Sequence, residues 1–124
     1  MTEEIEKPEK IVNVAFYKNE GGNEPVKDWL LDLDKAERSA IGTDLKTVEY
    51  GWPLGMPLVK SLSGKRNKDL WEVRTDLPNG TIARVIFTMS KGRMVLLHGF
   101  IKKTQGTPKN DLELARVRKI NLVK

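Results

Sequence analysis

The stretch Leu70-Trp71-Glu72-Val73-Arg74-Thr75-Asp76-Leu77-Pro78-Asn79-Gly80-Thr81-Ile82-Ala83-Arg84-Val85-Ile86-Phe87-Thr88-Met89-Ser90-Lys91-Gly92-Arg93-Met94-Val95-Leu96-Leu97-His98-Gly99-Phe100-Ile101 decides the fold. It reads as three strands joined by two tight turns. Leu70–Thr75 alternates, with Trp71 and Val73 on one face and Glu72 and Arg74 on the other. Pro78-Asn79-Gly80 is a strong hairpin signal, because Asn-Gly accepts positive φ. Thr81–Met89 and Met94–Ile101 follow as strands, separated by Ser90-Lys91-Gly92-Arg93. Strands linked this closely form an antiparallel meander.

Upstream of the meander, Ile11–Tyr17 is β-branched and aromatic and predicts a strand. Asn23 as N-cap, with Glu24 and Pro25 in the first turn, opens a helix whose apolar stripe is Val26, Trp29, Leu30 and Leu33. Asp34 and Glu37 form a capping pair for a second helix with the stripe Ile41, Leu45 and Val48, ended by Gly51. Gly51 to Pro57 is a loop, and Val59–Leu62 a short edge strand. Downstream, Thr107 and Pro108 open a last helix with the stripe Leu114, Val117 and Ile120. The order β-α-α-β-β-β-β-α, with helices segregated to the sheet faces, is α+β.

The whole chain is 124 residues, one domain by size, with a formal net charge of +5 and no cysteine. The charge is unevenly placed. Residues 1–50 hold 7 basic and 12 acidic side chains (7 − 12 = −5), and residues 51–124 hold 15 and 5 (15 − 5 = +10). A basic second half points to an anionic partner such as nucleic acid, or to scattered surface charge. The acidic start, Met1 to Lys7, is no signal peptide, and no apolar run reaches the length of a membrane span; a cytoplasmic protein is expected.

With one histidine, no cysteine and five acids after residue 50, no metal-ligand cluster is expected. No serine sits in a nucleophile elbow, and no glycine-rich phosphate loop occurs. What remains is a basic constellation around the meander: Arg74, Arg84, His98, Lys102 and Lys103, preceded by Lys60, Lys65, Arg66 and Lys68. Cations on a half-buried sheet are costly unless a partner or a carboxylate meets them. Arg74 is read either as a site residue or as paired with Glu72. His98 is either a site group or a satisfied half-buried histidine, and Lys102-Lys103 either a site pair or a solvated loop. Trp29, Trp52 and Trp71 read as packing residues rather than base-stacking platforms.

Leu70-Trp71-Glu72-Val73-Arg74 together with His98-Gly99-Phe100-Ile101-Lys102-Lys103-Thr104-Gln105-Gly106-Thr107-Pro108 resembles the HigB-like toxins of the RelE/ParE superfamily, on their phage-derived branch. Phe16-Tyr17-Lys18, Pro25-Val26 with Trp29-Leu30, and Gly51 through Gly64 extend the likeness over roughly residues 11–120. The resemblance implies two N-terminal helices on an antiparallel sheet plus a C-terminal helix, with residues 1–10 a flexible tail and 11–124 the toxin domain. It implies the toxin of a type II toxin–antitoxin module: a ribosome-dependent, metal-independent mRNA endoribonuclease that needs no cofactor and inhibits translation. Its implied partners are a helix-turn-helix (HigA-like) antitoxin, the ribosome and mRNA, with no membrane.

Carried over by position, Arg74 is the phosphate-stabilising arginine. Lys102 and Lys103 are the cationic loop after the last strand, and His98 is a further acid–base candidate. Lys60, Lys65, Arg66 and Arg84 are implied to bind substrate. Many relatives carry a tyrosine or acid in the last segment, whereas here no Tyr follows Tyr50. Two other readings share these features: a ParE-like gyrase inhibitor, and a non-catalytic RNA- or DNA-binding regulatory module.

Overall fold

The computed structural model describes residues 9–102 and 106–122. Residues 1–8, most of the expected tail, lie outside them, as does Lys103. The chain runs β1 (Asn13–Phe16), α1 (Pro25–Asp32), α2 (Lys35–Gly51), β2 (Val59–Ser61), a 3-10 turn (Lys65–Asn67), β3 (Trp71–Asp76), β4 (Ile82–Ser90), β5 (Arg93–Lys102) and α3 (Lys109–Leu122). The sheet order is β1-β5-β4-β3-β2.

The meander forms as the turns predict. Gly80 takes φ 81°, and at the second turn Lys91 and Gly92 both take positive φ (53° and 75°), which closes β4 directly onto β5. The sheet is nevertheless mixed, not antiparallel. β1 pairs parallel to β5, with Asn13 opposite Arg93 and Phe16 opposite Leu96. A parallel pair needs a long crossover, and everything from α1 to β4 supplies it. The helix pair is therefore preceded by a strand, and β1 completes the sheet at the β5 edge.

α2 begins as read: the Asp34 carboxylate accepts from the Glu37 N–H at 2.8 Å. Ile41, Leu45 and Val48 are buried, and the Trp52 N–H closes the helix onto the Val48 carbonyl. Near its end the buried Glu49 accepts from the Val14 N–H at 2.7 Å and pairs with Lys10 at 3.1 Å, tying α2 to the first strand. α1 departs from expectation at its cap. Glu24, not Asn23, precedes the helix and makes no side-chain cap, while the Asn23 N–H donates to the Asn19 side chain.

Two apolar cores flank the sheet. On the α1/α2 side lie Val26, Leu30, Ile41, Val48, Val73, Val85, Phe87, Met94 and Leu96, with Trp29, Trp52 and Trp71 packed against them. Trp71 stacks on Phe87, and Trp52 meets both edge-on, so the tryptophans are packing residues. Gly99 lets Trp29 lie flat on β5: a Cβ there would come within 2.4 Å of the indole. Each fully buried aliphatic side chain contributes roughly 1.5–3 kcal/mol.

On the other side α3 covers Leu70, Ile86, Val95, Leu97 and Phe100. Here the expected stripe is corrected. Leu114, Val117 and Ile120 are exposed, and α3 presents Ala115, Leu112 and Leu122 to the sheet. The reason is polar. Between β4 and β5 a bulge lies where Ile86 faces His98 but Phe87 faces Leu96, placing Leu97 as the extra residue. Arg118 donates to the Leu97 carbonyl at 2.7 Å, and Asp111 bonds His98, so the helix face carrying Asp111, Ala115 and Arg118 turns inward. Burial pulls the Arg118 guanidinium below its ordinary range, and the charge of the Tyr17 phenol group pulls the other way.

Candidate active site: a basic sheet face clamped by the last helix

Register places the candidate residues together. Lys60 pairs with Glu72, Glu72 with Ile86, and Ile86 with His98. In the next row Arg74 pairs with Arg84 and Arg84 with Phe100; beyond it Asp76, Ile82 and Lys102 align. Because side chains alternate along a strand, Lys60, Glu72, Arg74, Arg84 and His98 share the face that α3 packs against. Arg74 and Lys102 stand two strands apart, about 10 Å laterally.

Glu72 is the hub of this face, fully buried. Its Oε1 lies 3.7 Å from Arg74 Nε and 3.8 Å from Arg84 Nη1, and its Oε2 accepts the Thr107 hydroxyl at 2.7 Å. Arg84 is also fully buried and donates to the Gly106 carbonyl at 2.9 Å. Burial pulls Arg84 below the usual guanidinium range; Glu72 opposes that, and Arg74 adds to it. Arg84 and Glu72 thus hold both ends of the described Gly106–Thr107 segment to the sheet. Arg84 has no exposed surface, so its geometry is that of a support beneath Arg74.

At the other side of the face, His98 Nε2 lies 2.6 Å from Asp111 Oδ1, and its ring stacks on Phe100. Lys102 Nζ is 4.0 Å from the second Asp111 oxygen. Asp111, in the first turn of α3, therefore fixes one ring nitrogen of His98 and draws the Lys102 amine toward it. Lys102 is half-exposed at the end of β5.

Lys65 and Arg66 sit elsewhere, on the exposed 3-10 turn before β3, where Arg66 reaches Glu113 of α3 at 3.6 Å. Arg116 bonds Glu113 and the Asn67 side chain, and Lys119 donates to the Lys68 carbonyl. The Arg116 hydrogen bond, with the charge of the same guanidinium, holds the exposed Glu113 carboxyl below its usual range. These two cations border the second half of α3, not the Arg74–His98 face.

Glu72, Thr107 and Asp111 were not singled out as site residues by sequence. Asp111 had a signal: it stands four before Ala115 and seven before Arg118, the spacing of one helix face. Among the described residues, no three His, Cys, Asp or Glu side chains come together as a metal site. No helix among them is long and apolar enough to cross a membrane.

A five-stranded mixed sheet with a helix pair on one side, and on the other a helix clamping a row of Arg, His and Lys, defines a small α+β protein built around a cationic sheet face. The model of the family described as phage-derived protein Gp49-like (DUF891) matches residues 28–119, from α1 into α3, and the chain belongs to this family. The family includes RelE/HigB-like toxins of toxin–antitoxin systems and is linked to RelE-like endoribonucleases. No curated protein matches the chain.

Proposed function

We propose that the protein is the HigB-like toxin of a type II toxin–antitoxin module and cleaves mRNA on the translating ribosome, in the cytoplasm, under the control of a helix-turn-helix (HigA-like) antitoxin. The observation that carries this reading is the register that sets Arg74, His98 and Lys102 on and beside one clamped face.

The chemistry follows from what RNA offers. The substrate's 2′-OH attacks the adjacent phosphorus, which requires a base for that hydroxyl, cations for charge growing on the phosphate oxygens, and an acid for the departing 5′ oxygen. Arg74, backed by Glu72 and Arg84, presents a planar donor fork suited to phosphate. Glu72 keeps that fork in place, and Arg74, although largely buried, lines the cleft at the sheet edge. His98, oriented by Asp111, handles a proton at its other ring nitrogen, and Lys102 adds charge beside it; the likeness to HigB-like toxins gives Lys103 the same cationic role. Lys60 sits at the rim of the same face, and Lys65 and Arg66 offer a separate basic patch to ribosomal RNA. The ribosome supplies substrate alignment, which alone is worth roughly 7–11 kcal/mol.

The test is 5′-end mapping of mRNA after induced expression, with a translation-blocked control. New ends that disappear when translation is blocked support the reading. Growth arrest with intact mRNA and a DNA-damage response would instead indicate gyrase inhibition. Salt-sensitive RNA binding with neither effect would indicate a regulatory module.

A further inference from the structure

Beside Arg74, the edge of the sheet carries carboxylates and apolar side chains that the cleavage chemistry does not use. β2 pairs with Trp71 to Val73 of β3 and the Arg74 N–H donates to the Leu58 carbonyl at 2.9 Å, so the Thr75–Asp76 end of β3 has no strand beyond it. A cleft of about 490 Å³ opens along this edge, lined by Asp44 of α2, Met56 and Pro57 of the loop before β2, and Arg74, Asp76 and Ile82 of the sheet. Small-molecule sites commonly fall at roughly 300–1,000 Å³.

The lining is of three kinds. Arg74 is a cation. Asp44 and Asp76 are carboxylates that, among the described residues, are in no ion pair and no side-chain hydrogen bond. Met56, Pro57 and Ile82 are apolar, and Met56 is 61% exposed, a large hydrophobic side chain left open to solvent at the mouth. A phosphate is drawn to Arg74 and repelled by the two carboxylates, so a nucleotide enters with its phosphate at Arg74 and its base toward Asp44 and Asp76. The apolar side chains offer a surface for the flat face of a base, the thioether of Met56 included.

We infer that this cleft is a nucleobase subsite that takes bases bearing an exocyclic amino group, namely cytosine, adenine or guanine, in preference to uracil. The inference rests on the reading of Arg74 as the phosphate ligand. An ionised carboxylate only accepts hydrogen bonds. The amino group of cytosine, adenine or guanine donates to it, just as the cytosine amine donates to acidic side chains in DNA readout. At the position of the exocyclic amine uracil presents a carbonyl oxygen, which a carboxylate repels, and it keeps only its N3–H to offer as a donor. A basic side chain from a protein partner would also satisfy the carboxylates, but it would meet Arg74 as a like charge.

The test is a chemical-shift titration of the intact protein with the 5′-monophosphates of cytidine, adenosine, guanosine and uridine. The same series is run on Asp44→Asn, Asp76→Asn and Arg74→Gln, with thermal melts confirming that each variant folds. The expected result is about tenfold weaker binding of the uridine nucleotide, the scale of one charge-assisted hydrogen bond. In the Asp→Asn variants that gap narrows, since a carboxamide donates to the uracil carbonyl. Equal affinity for all four, no binding of any, or an order that neither Asp→Asn change alters overturns the subsite. Tighter binding of N-acetylargininamide than of the cytidine nucleotide also overturns it and assigns the cleft to a protein cation. Arg74→Gln separates the two readings: binding of all four nucleotides falls together if Arg74 holds the phosphate, and unchanged affinity overturns that role while leaving the base order to be read on its own.

Discussion

The Thr107 hydroxyl donates to the Glu72 carboxylate at 2.7 Å, across 35 positions of chain, and with the Arg84 bond to the Gly106 carbonyl it fastens the segment before the last helix to the middle of the sheet. The same carboxylate lies between Arg74 and Arg84. Glu72→Ala leaves two guanidinium groups facing each other at a buried position, and breaking a buried ion pair from one side costs roughly 3–5 kcal/mol. Thr107→Val removes one hydrogen bond to a charged group, a loss of about 1.5–3 kcal/mol. Urea denaturation monitored by tryptophan fluorescence measures both, and a Glu72→Ala protein as stable as the wild type contradicts the hub.

Gly99→Ala drives a methyl group into the Trp29 indole and destabilises by about 1–3 kcal/mol, the usual scale of overpacking. Trp29→Leu in the same chain makes room. The double variant is then less destabilised than the sum of the two single changes, a coupling that a double-mutant cycle reads directly. Additive losses would place the two side chains apart.

Arg118→Met keeps most of the apolar stem but withdraws the donor from the Leu97 carbonyl at the bulge, an expected loss of about 1.5–3 kcal/mol. Hydrogen exchange checks where the loss falls: protection drops first in the Leu96–His98 part of β5.

The acid limb of stability has one assignable contributor. Glu113 has its folded-state pKa lowered by Arg116, so its contribution is present above its unfolded value and lost as pH falls through the carboxylate range. Glu113→Gln therefore flattens the stability–pH curve in acid and leaves it unchanged in slope near neutrality. Paired denaturation series in acetate and phosphate buffers compare the two limbs.

Arg74→Lys retains charge and loses the fork. If Arg74 stabilises the phosphorane-like charge, cleavage falls by about 10²-fold, the usual cost of one such donor, and a growth-arrest assay with mapped 5′ ends reports it. On the same reading, Asp111→Asn lowers cleavage by releasing His98 and Lys102, whereas a purely structural Asp111 changes the melting temperature alone.

Much of this was legible along the chain. The Asp34–Glu37 cap, the Asn79-Gly80 turn and the alternation of Glu72 and Arg74 are local signals, each visible within a few residues. The inward face of α3 was not. Its apolar count pointed to Leu114, Val117 and Ile120, yet the buried face carries Asp111, Ala115 and Arg118, whose partners are His98 and the Leu97 carbonyl on a distant strand. The bulge behind this inversion is silent in sequence, because Met94 to Leu97 are all buried and the run shows no alternation to break. The parallel pairing of β1 was likewise set by which sheet edge stays open after the meander forms. The face holding Arg74 could be read from strand alternation, but its hub could not, since Glu72 becomes one only when Arg84 and Thr107 are brought to it.

The pairing of Asn13 with Arg93 and of Phe16 with Leu96 also sets a timetable for biosynthesis. Synthesis runs from the N-terminus, so β1 leaves the ribosome long before the strand it must join. The carboxylate that holds His98 and Lys102 comes later still, at position 111. A nascent chain cut short before that point lacks the clamp on its own cationic face, and the finished arrangement becomes available only as the last helix docks.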